Sequence, residues 1–163
     1  MSDPDTRHDP VRGSGAEPTS GPLGRIVVVA DNHIARALVA MARATGWETE
    51  LLAGPPTEVT DGTLGHADAL VVCDHDGEGA YDLLGRALRA EVGYVAMMAS
   101  RGRAETVVEQ LRAEGLDLAA LERLHVPAGL SIGGRSAGEI ALSVMAEVVA
   151  DTHGRDGGPL RDR

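Results

Sequence analysis

The chain has 163 residues, enough for one folded domain with polar ends. Its 25 acidic and 15 basic residues give a net charge of −10, which repels phosphate backbones and excludes nucleic acid as a partner. The single cysteine, Cys73, excludes an intrachain disulfide and is compatible with a reducing compartment. No stretch approaches the ~20 apolar residues of a membrane span, so we expect a cytoplasmic protein with no membrane contact.

The two ends of the chain are polar. Residues 1–23 are rich in Pro, Gly and Ser, and residues 151–163 have a similar composition. Neither segment can bury enough apolar surface to order itself. We therefore expect two flexible tails around one folded domain that spans residues 24–150.

The first half of this domain alternates strands and a helix. The continuous apolar run at 25–30 is typical of a strand that is buried on both faces. Apolar residues then recur at helical spacing over 34–41, and Gly46 ends that helix. A weaker strand follows at Glu48–Leu52, and a short buried strand at Ala69–Val72.

The second half continues the alternation. Its predicted elements are a helix over 83–88, a strand over 93–98, a helix over 107–115, a short helix over 117–124, an edge strand over 125–127 and a final helix over 137–150. Ser136 and Glu139 have the spacing of a capping box, which predicts where the final helix begins. Pro127 ends the edge strand because it has no N–H to donate.

Strands that alternate with helices of this length form right-handed βαβ units and a mainly parallel sheet. The sequence therefore predicts an α/β fold of the Rossmann-like, doubly wound kind, with helices on both faces of the sheet. Ligands of such sheets bind outside the carboxyl ends of the strands. The loops at 31–33, 74–82, 99–103 and 131–135 are where we expect a site.

The first of these loops departs from a dinucleotide-binding turn. Ala30 and Asn32 occupy the first two glycine positions of G-x-G-x-x-G/A, and Asp31 adds negative charge where a phosphate would lie. The second strand is followed by Ala53 instead of an acidic residue for the ribose. We therefore expect no tight binding of NAD or NADP. The alternative role for this loop is structural, with Asn32 capping the helix and His33 on the surface.

A second candidate lies where the fourth strand meets its helix. Ser100, Arg101 and Arg103 stand at the helix start, where free N–H groups and the helix dipole favour an anion. The two guanidinium groups would add charge-assisted contacts to a phosphate. The alternative is that Ser100 only caps the helix and the arginines pair with surface carboxylates.

The loop after the third strand carries Asp74, His75 and Asp76. Neighbouring strand residues point to opposite faces, so three in a row rarely bind one metal ion, and we predict no metal site. His75 is expected to face the cleft beside Asp76. Gly133 would allow a ligand close to the backbone, or it serves only turn geometry. No nucleophile-elbow pattern occurs, and no catalytic residue is predicted.

Several segments resemble those of one known family. They are A-D-A-L-V-V-C-D-H-D at 67–76 with Y-D-L-L at 81–84, Y-V-A-M-M-A-S-R at 94–101, R-L-H-V-P-A-G-L-S-I-G-G at 123–134 and E-I-A-L-S-V-M-A-E at 139–147. In this order and spacing they resemble the C-terminal domain of the XdhC/CoxI family of molybdenum-enzyme maturation proteins. The resemblance covers about residues 24–150 and is strongest from Asp68 onward.

The chain also departs from this family's pattern. Members commonly have G-x-G-H in the first turn, of which only His33 remains here. Their acidic residue after the second strand is Ala53 here, and the Thr before the loop histidine is Asp74. Ala96 and Ala99 replace the two glycines of the fourth-strand motif.

The resemblance implies an accessory or maturation factor for a molybdenum hydroxylase of the xanthine or carbon monoxide dehydrogenase type. Such a factor binds or delivers the molybdenum cofactor, an anionic pterin, or docks to the apo-enzyme, so we expect a non-enzymatic role. The residues expected to bind the cofactor are His33, His75, Asp76, Ser100, Arg101, Arg103 and Gly133. The alternatives are a nucleotide-dependent oxidoreductase or transferase on the same fold, and an interaction subunit that binds no ligand.

The final helix is apolar on more than one side. One stripe at helical spacing is expected to cover the sheet, and it comprises Ala137, Ala141, Val144 and Val148. A second apolar group comprises Leu142, Met145 and Val149. Because this exceeds what one buried face requires, we expect a homodimer or a complex with a molybdenum hydroxylase through this helix.

Overall fold

A computed structural model describes residues 23–74 and 76–162, with a parallel sheet at the centre. The strands are β1 (Arg25–Val29), β2 (Glu48–Leu52), β3 (Ala69–Val72), β4 (Tyr94–Met97) and β5 (Leu124–His125). Their order is β2-β1-β3-β4-β5, and every neighbouring pair is parallel. This arrangement confirms the predicted α/β, Rossmann-like fold class.

Helices connect the strands. They are α1 (His33–Ala44), α2 (Asp61–Leu64), α3 (Ala80–Arg89), α4 (Arg101–Ala113), α5 (Leu118–Leu121) and α6 (Ala137–Thr152), with one-turn 3-10 helices at Pro56–Glu58 and Leu160–Asp162. The predicted capping box is present at the start of α6: the Ser136 hydroxyl accepts the Glu139 N–H, and the Glu139 carboxylate accepts the Ser136 N–H. None of the helices in the described ranges is long and apolar enough to cross a membrane.

The short helix predicted over 117–124 was too long. It ends at Leu121 because the backbone of Leu124 and His125 pairs with Val95 and Ala96 of β4. The predicted edge strand is therefore confirmed, but it starts one residue earlier. The turns at Pro56–Glu58 and Asp61–Leu64 were not predicted, because a single turn is too short to show helical periodicity.

The core lies on both faces of the sheet because successive strand residues alternate in direction. One face buries Val27, Leu70 and Val95 against α3 and α4. The opposite face buries Ile26, Val28 and Val71 against α1 and α6. Each fully buried aliphatic side chain contributes about 1.5–3 kcal/mol relative to its exposed state, so two aliphatic layers stabilise a chain that has few aromatic residues.

The strand order reverses at β1. From β1 the chain crosses by α1 to β2 on one side, and later returns past β1 to β3 on the other side. Because the two crossovers lie on opposite faces of the sheet, a crevice opens at the carboxyl ends of β1 and β3. The site described below lies there.

Candidate functional site

A cavity of about 280 Å³ lies at the carboxyl ends of β1, β2 and β3. Its wall is formed by the turn after β1, by the segment 53–56 after β2, and by Asp74 and Gly77 after β3. Gly77 packs closely on Pro56, since a Cβ there would lie 3.2 Å from the proline ring. The cavity is therefore bounded by loops that contact one another.

The turn after β1 keeps a conformation typical of glycine although no glycine is present. Ala30 has φ at 115°, and its N–H donates to the Leu52 carbonyl at 3.0 Å. Asn32 holds the turn in place: its Oδ1 accepts the Ala35 N–H at 2.9 Å and its Nδ2 donates to the Cys73 carbonyl at 2.9 Å. The cap of α1 thus comes from Asn32, which occupies the second glycine position of the dinucleotide-binding pattern.

The charged groups of this turn neutralise each other. The two carboxylate oxygens of Asp31 accept hydrogen bonds from Arg36 at 2.7 and 3.0 Å. These bonds hold the pKa of Asp31 below its ordinary value and raise the pKa of Arg36. His33 is exposed at the first position of α1, so the surface location proposed as the alternative is the one observed.

Asp74 lines the same cavity from the β3 side. Its Oδ1 accepts the Asp76 N–H at 3.0 Å, which fixes the side chain. Its Oδ2 has no hydrogen-bond partner among residues 23–74 and 76–162. His75, a predicted cofactor-binding residue, lies outside the described residues.

The start of α4 has the two features of the structural alternative, a Ser100 cap and an arginine paired with a carboxylate. The Ser100 hydroxyl accepts the Arg103 N–H at 3.3 Å, so Ser100 caps the helix. Arg103 Nη1 lies 3.2 Å from Asp76 Oδ1, which brings two of the predicted site residues together. Arg101 is exposed. Asp76, Gly77 and Arg103 also line a second cavity of about 400 Å³, which shares Gly77 with the first.

Gly133 lies apart from these cavities in the loop before α6. Its φ of 77° favours glycine, and a Cβ there would meet no atom within 4 Å. The neighbouring glycines are required by the helix that follows: a Cβ on Gly134 would lie 2.5 Å from Glu139 Cβ, and one on Gly129 would lie 2.4 Å from Ser143 Oγ. Turn geometry explains the conformation of this loop.

One polar cluster was not predicted. The Glu147 carboxylate accepts the Tyr94 hydroxyl at 2.6 Å and the Gly129 N–H at 2.8 Å. The imidazole of His125 stacks on Tyr94 and lies between two carboxylates, with Nδ1 3.5 Å from Glu147 and Nε2 3.6 Å from Asp151. Only the resembling segments around His125 and Glu147 gave a signal, and they do not show that these side chains meet.

The surroundings of the cluster shift two pKa values. Burial raises the pKa of Glu147, but hydrogen bonds from His125, Tyr94 and Gly129 outweigh it and leave that pKa below its ordinary value. Burial, together with the negative charge of Glu147, raises the pKa of Tyr94. The buried thiol of Cys73 has its pKa raised by burial to about 12, so it is not a nucleophile at neutral pH.

An apolar groove of about 460 Å³ runs between α1 and α6. Its wall includes Met41, Leu130, Leu142, Met145 and Val149, and Leu142 has half of its surface exposed. Ala141, Val144 and Val148 of the first apolar stripe of α6 are buried on the sheet, as predicted, but Ala137 is only half-buried. The second stripe lines the groove, although its Met145 also belongs to the buried core.

No group of three or more metal-binding side chains occurs within the described ranges. The loops at the carboxyl ends of the strands provide a small cavity with one open carboxylate oxygen, and Arg101 is exposed at the start of α4.

The comparisons with known proteins identify the family. The family model described as the XdhC Rossmann domain matches residues 26–148. The chain belongs to the XdhC Rossmann-domain family. This confirms the resemblance on which the sequence interpretation depended.

Two relatives of this XdhC domain are longer proteins. The uncharacterized protein YqeB of Escherichia coli K12 is 25% identical over 156 residues, which cover 82% of this chain and 28% of YqeB. The crystal structure of a xanthine dehydrogenase from Bacillus halodurans superposes with a TM-score of 0.65 at 19% identity, covering 82% of this chain and 44% of that one. The chain thus spans less than half the length of either, and the structural likeness supports the fold.

Proposed function

We propose that this XdhC domain is an accessory or maturation factor for a molybdenum hydroxylase of the xanthine dehydrogenase type. The observation that carries the proposal is the family match over 26–148, which includes the loops at the carboxyl ends of β1, β3 and β4. In this role the domain docks to the apo-enzyme and handles its molybdenum cofactor.

The residues present suit parts of an anionic pterin. Arg101 is exposed at the start of α4, where N–H groups and the helix dipole favour a phosphate. The cavity at the carboxyl ends of β1, β2 and β3 offers apolar walls and a carboxylate acceptor to a ring. When bound, the cofactor supplies the redox chemistry of the client enzyme, and the residues of this chain bind and orient it.

Co-purification tests the docking role. The tagged chain is recovered from cells that express a molybdenum hydroxylase, and the co-purifying proteins and any bound pterin are identified by mass spectrometry. The proposal expects a molybdenum-hydroxylase component in the eluate. Recovery of the chain without any such component, at saturating expression of both, would contradict docking.

The anion role of Arg101 is tested separately with inorganic phosphate and a phosphorylated pterin. Both should raise the melting temperature of the wild type, because they bind only the folded state. Arg101→Ala should abolish the rise, whereas Arg112→Ala, at the other end of α4, should retain it. An unchanged rise in Arg101→Ala would place the anion elsewhere.

The groove between α1 and α6 is proposed to receive a second copy of the chain. The groove is lined by apolar side chains, and Leu142 in its wall is half exposed. A two-fold interface uses the same surface patch of both copies, so the groove and Leu142 of one copy would pack against those of the other.

A further inference from the structure

We propose that the open edge of β2 binds an extended segment of another protein, which adds to the sheet as an antiparallel strand. The segment alternates basic and apolar residues, with its basic side chains on the face of Glu48 and its apolar side chains on the face of Leu51. This surface differs from the groove between α1 and α6 and from the cavity at the carboxyl ends of the strands. The inference therefore does not rest on the proposed function.

The position of β2 in the sheet leaves one of its sides open. β2 stands at the end of the strand order and pairs only with β1. In a parallel pair, every second residue directs its N–H and C=O groups toward the neighbouring strand. The Glu48 N–H donates to the Gly24 carbonyl at 2.9 Å, and the Leu52 carbonyl accepts the Ala30 N–H at 3.0 Å. The even-numbered residues of β2 therefore face β1.

The odd-numbered residues face away from β1. The backbone N–H and C=O groups of Thr49 and Leu51 have no hydrogen-bond partner within residues 23–74 and 76–162. An added strand would pair with these four groups, and such main-chain bonds supply the affinity of strand addition. The opposite edge of the sheet is protected, because β5 has only two residues and Pro127 follows closely. β2 has five residues and no proline.

The charge on this edge selects a basic partner. Glu48 and Glu50 share the face of Val27, because Glu50 is in register with that residue. Glu50 pairs with Arg25 at 2.7 Å. Glu48 is exposed and has no ion pair within the described ranges. A basic side chain beside Glu48 on the added strand would supply the missing opposite charge.

The same charges disfavour a second copy of the chain at this edge. Antiparallel pairing of two copies centred on Glu50, the middle residue of β2, would set this residue opposite itself. Like charges directly opposite on paired strands are destabilising, and the net charge of −10 adds repulsion between whole chains. The occupant is therefore a segment of a different protein.

A small cavity lies beside the end of this edge. It has a volume of about 180 Å³, and its lining includes Leu51, Leu52, Pro55 and Val59, together with the carboxylate of Glu58. Successive strand residues point to opposite faces, so a cavity lined by both leucines lies at the edge of the sheet. Pockets for alternate side chains give strand addition its specificity, and this one suits a single apolar side chain.

The test uses short synthetic peptides and the purified chain, followed by NMR. A peptide of alternating arginine and valine should bind with a dissociation constant below about 0.1 mM, and one of alternating glutamate and valine should not bind below about 1 mM. The amides of Thr49 and Leu51 should exchange rapidly in the free chain and slowly in the complex. Those of Glu50 and Leu52, which face β1, should exchange slowly in both.

Backbone pairing is tested by N-methylation of the basic peptide. In an antiparallel pair, the residues opposite Thr49 and Leu51 have side chains on the same face as these two and exchange both hydrogen bonds with them. The valines of the peptide occupy those positions. Methylation of the valine nitrogens should therefore abolish binding, whereas methylation of the arginine nitrogens, which face away from β2, should retain it.

The charge contribution is tested on the chain. Glu48→Lys should weaken binding of the basic peptide by at least about threefold, because an exposed pair of opposite charges becomes a repulsive one. Glu122→Lys is the matched control, since Glu122 is an exposed carboxylate at the end of α5, and it should keep wild-type affinity. Melting temperatures establish that both variants are folded.

Several outcomes would overturn the inference. They are no binding of the basic peptide below about 1 mM, equal binding of the acidic peptide, full binding of the valine-methylated peptide, or unchanged amide exchange at Thr49 and Leu51 in the complex. Wild-type affinity in folded Glu48→Lys would contradict the basic character of the partner. Recovery of a molybdenum hydroxylase by a chain that fails these peptide tests would leave the proposed function standing.

Discussion

Ala30 holds a backbone conformation that residues with a Cβ rarely adopt, with φ at 115°. The hydrogen bond to Leu52 and the Asn32 cap impose it on the turn. Ala30→Gly should therefore raise the free energy of unfolding by about 1 kcal/mol, measured by urea denaturation, because glycine adopts this φ without strain.

The control for this substitution is Ala53→Gly. Ala53 does not have a positive φ, so the same change there should lower the free energy of unfolding by up to about 1 kcal/mol through the entropy of the unfolded chain. Destabilisation by Ala30→Gly of the same size as in the control would show that the turn is not strained.

Glu147 is the residue that ties α6 to the last two strands. Its carboxylate accepts from Tyr94 and Gly129 and faces His125. Glu147→Gln replaces a charged acceptor by a neutral one and should lower the free energy of unfolding by about 1–3 kcal/mol at pH 7. Glu122→Gln, an exposed carboxylate at the end of α5, should change it by less than about 0.5 kcal/mol.

The pH dependence of stability follows from the same carboxylate. The pKa of Glu147 in the folded protein lies below the ordinary value of 4.5. A depressed pKa contributes stability above the unfolded value, and this contribution disappears as the pH falls through the folded value. As the pH falls from about 6 to about 3, the free energy of unfolding of the wild type should therefore decrease more than that of Glu147→Gln. Urea titrations at several pH values in this range measure both. Parallel curves would contradict this assignment.

The residues of the β1–α1 turn lead us to expect weak binding of nicotinamide cofactors. Asn32 replaces the glycine that lets a pyrophosphate approach, and its side chain caps the helix end. Calorimetric titration with NADH and NADPH should give dissociation constants weaker than about 1 mM. A micromolar constant for either would show that the turn binds a dinucleotide despite these residues.

The regular elements were predictable where a local pattern is long enough. The buried run of β1 and the capping box of α6 were located to within a residue or two, because β-branched runs and caps act locally. The 117–124 segment was not, since β4 pairs with Leu124 and removes it from the helix. Strand pairing between distant residues is not visible in local spacing.

Because the groove between α1 and α6 is apolar, we expect two copies of the chain to associate through it. Light scattering should give a particle of about twice the mass of one chain, and Leu142→Asp should reduce it to one, because a buried charge in an apolar interface is unfavourable. Leu118→Asp is the control, since Leu118 is also exposed but lies on α5, away from the groove. A wild type with the mass of one chain would contradict the dimer.

The sequence by itself determined the alternation of strands and helices, the family, and the departures at Ala30, Asn32 and Ala53. Only the tertiary structure decided which distant side chains share a site: Asp74 faces the turn after β1, Asp76 meets Arg103, and Glu147 meets Tyr94. The physical reason is that parallel pairing brings the ends of non-consecutive strands to one edge of the sheet. The local periodicity of the sequence indicates which face of a helix or strand is buried, but not which other element packs against that face.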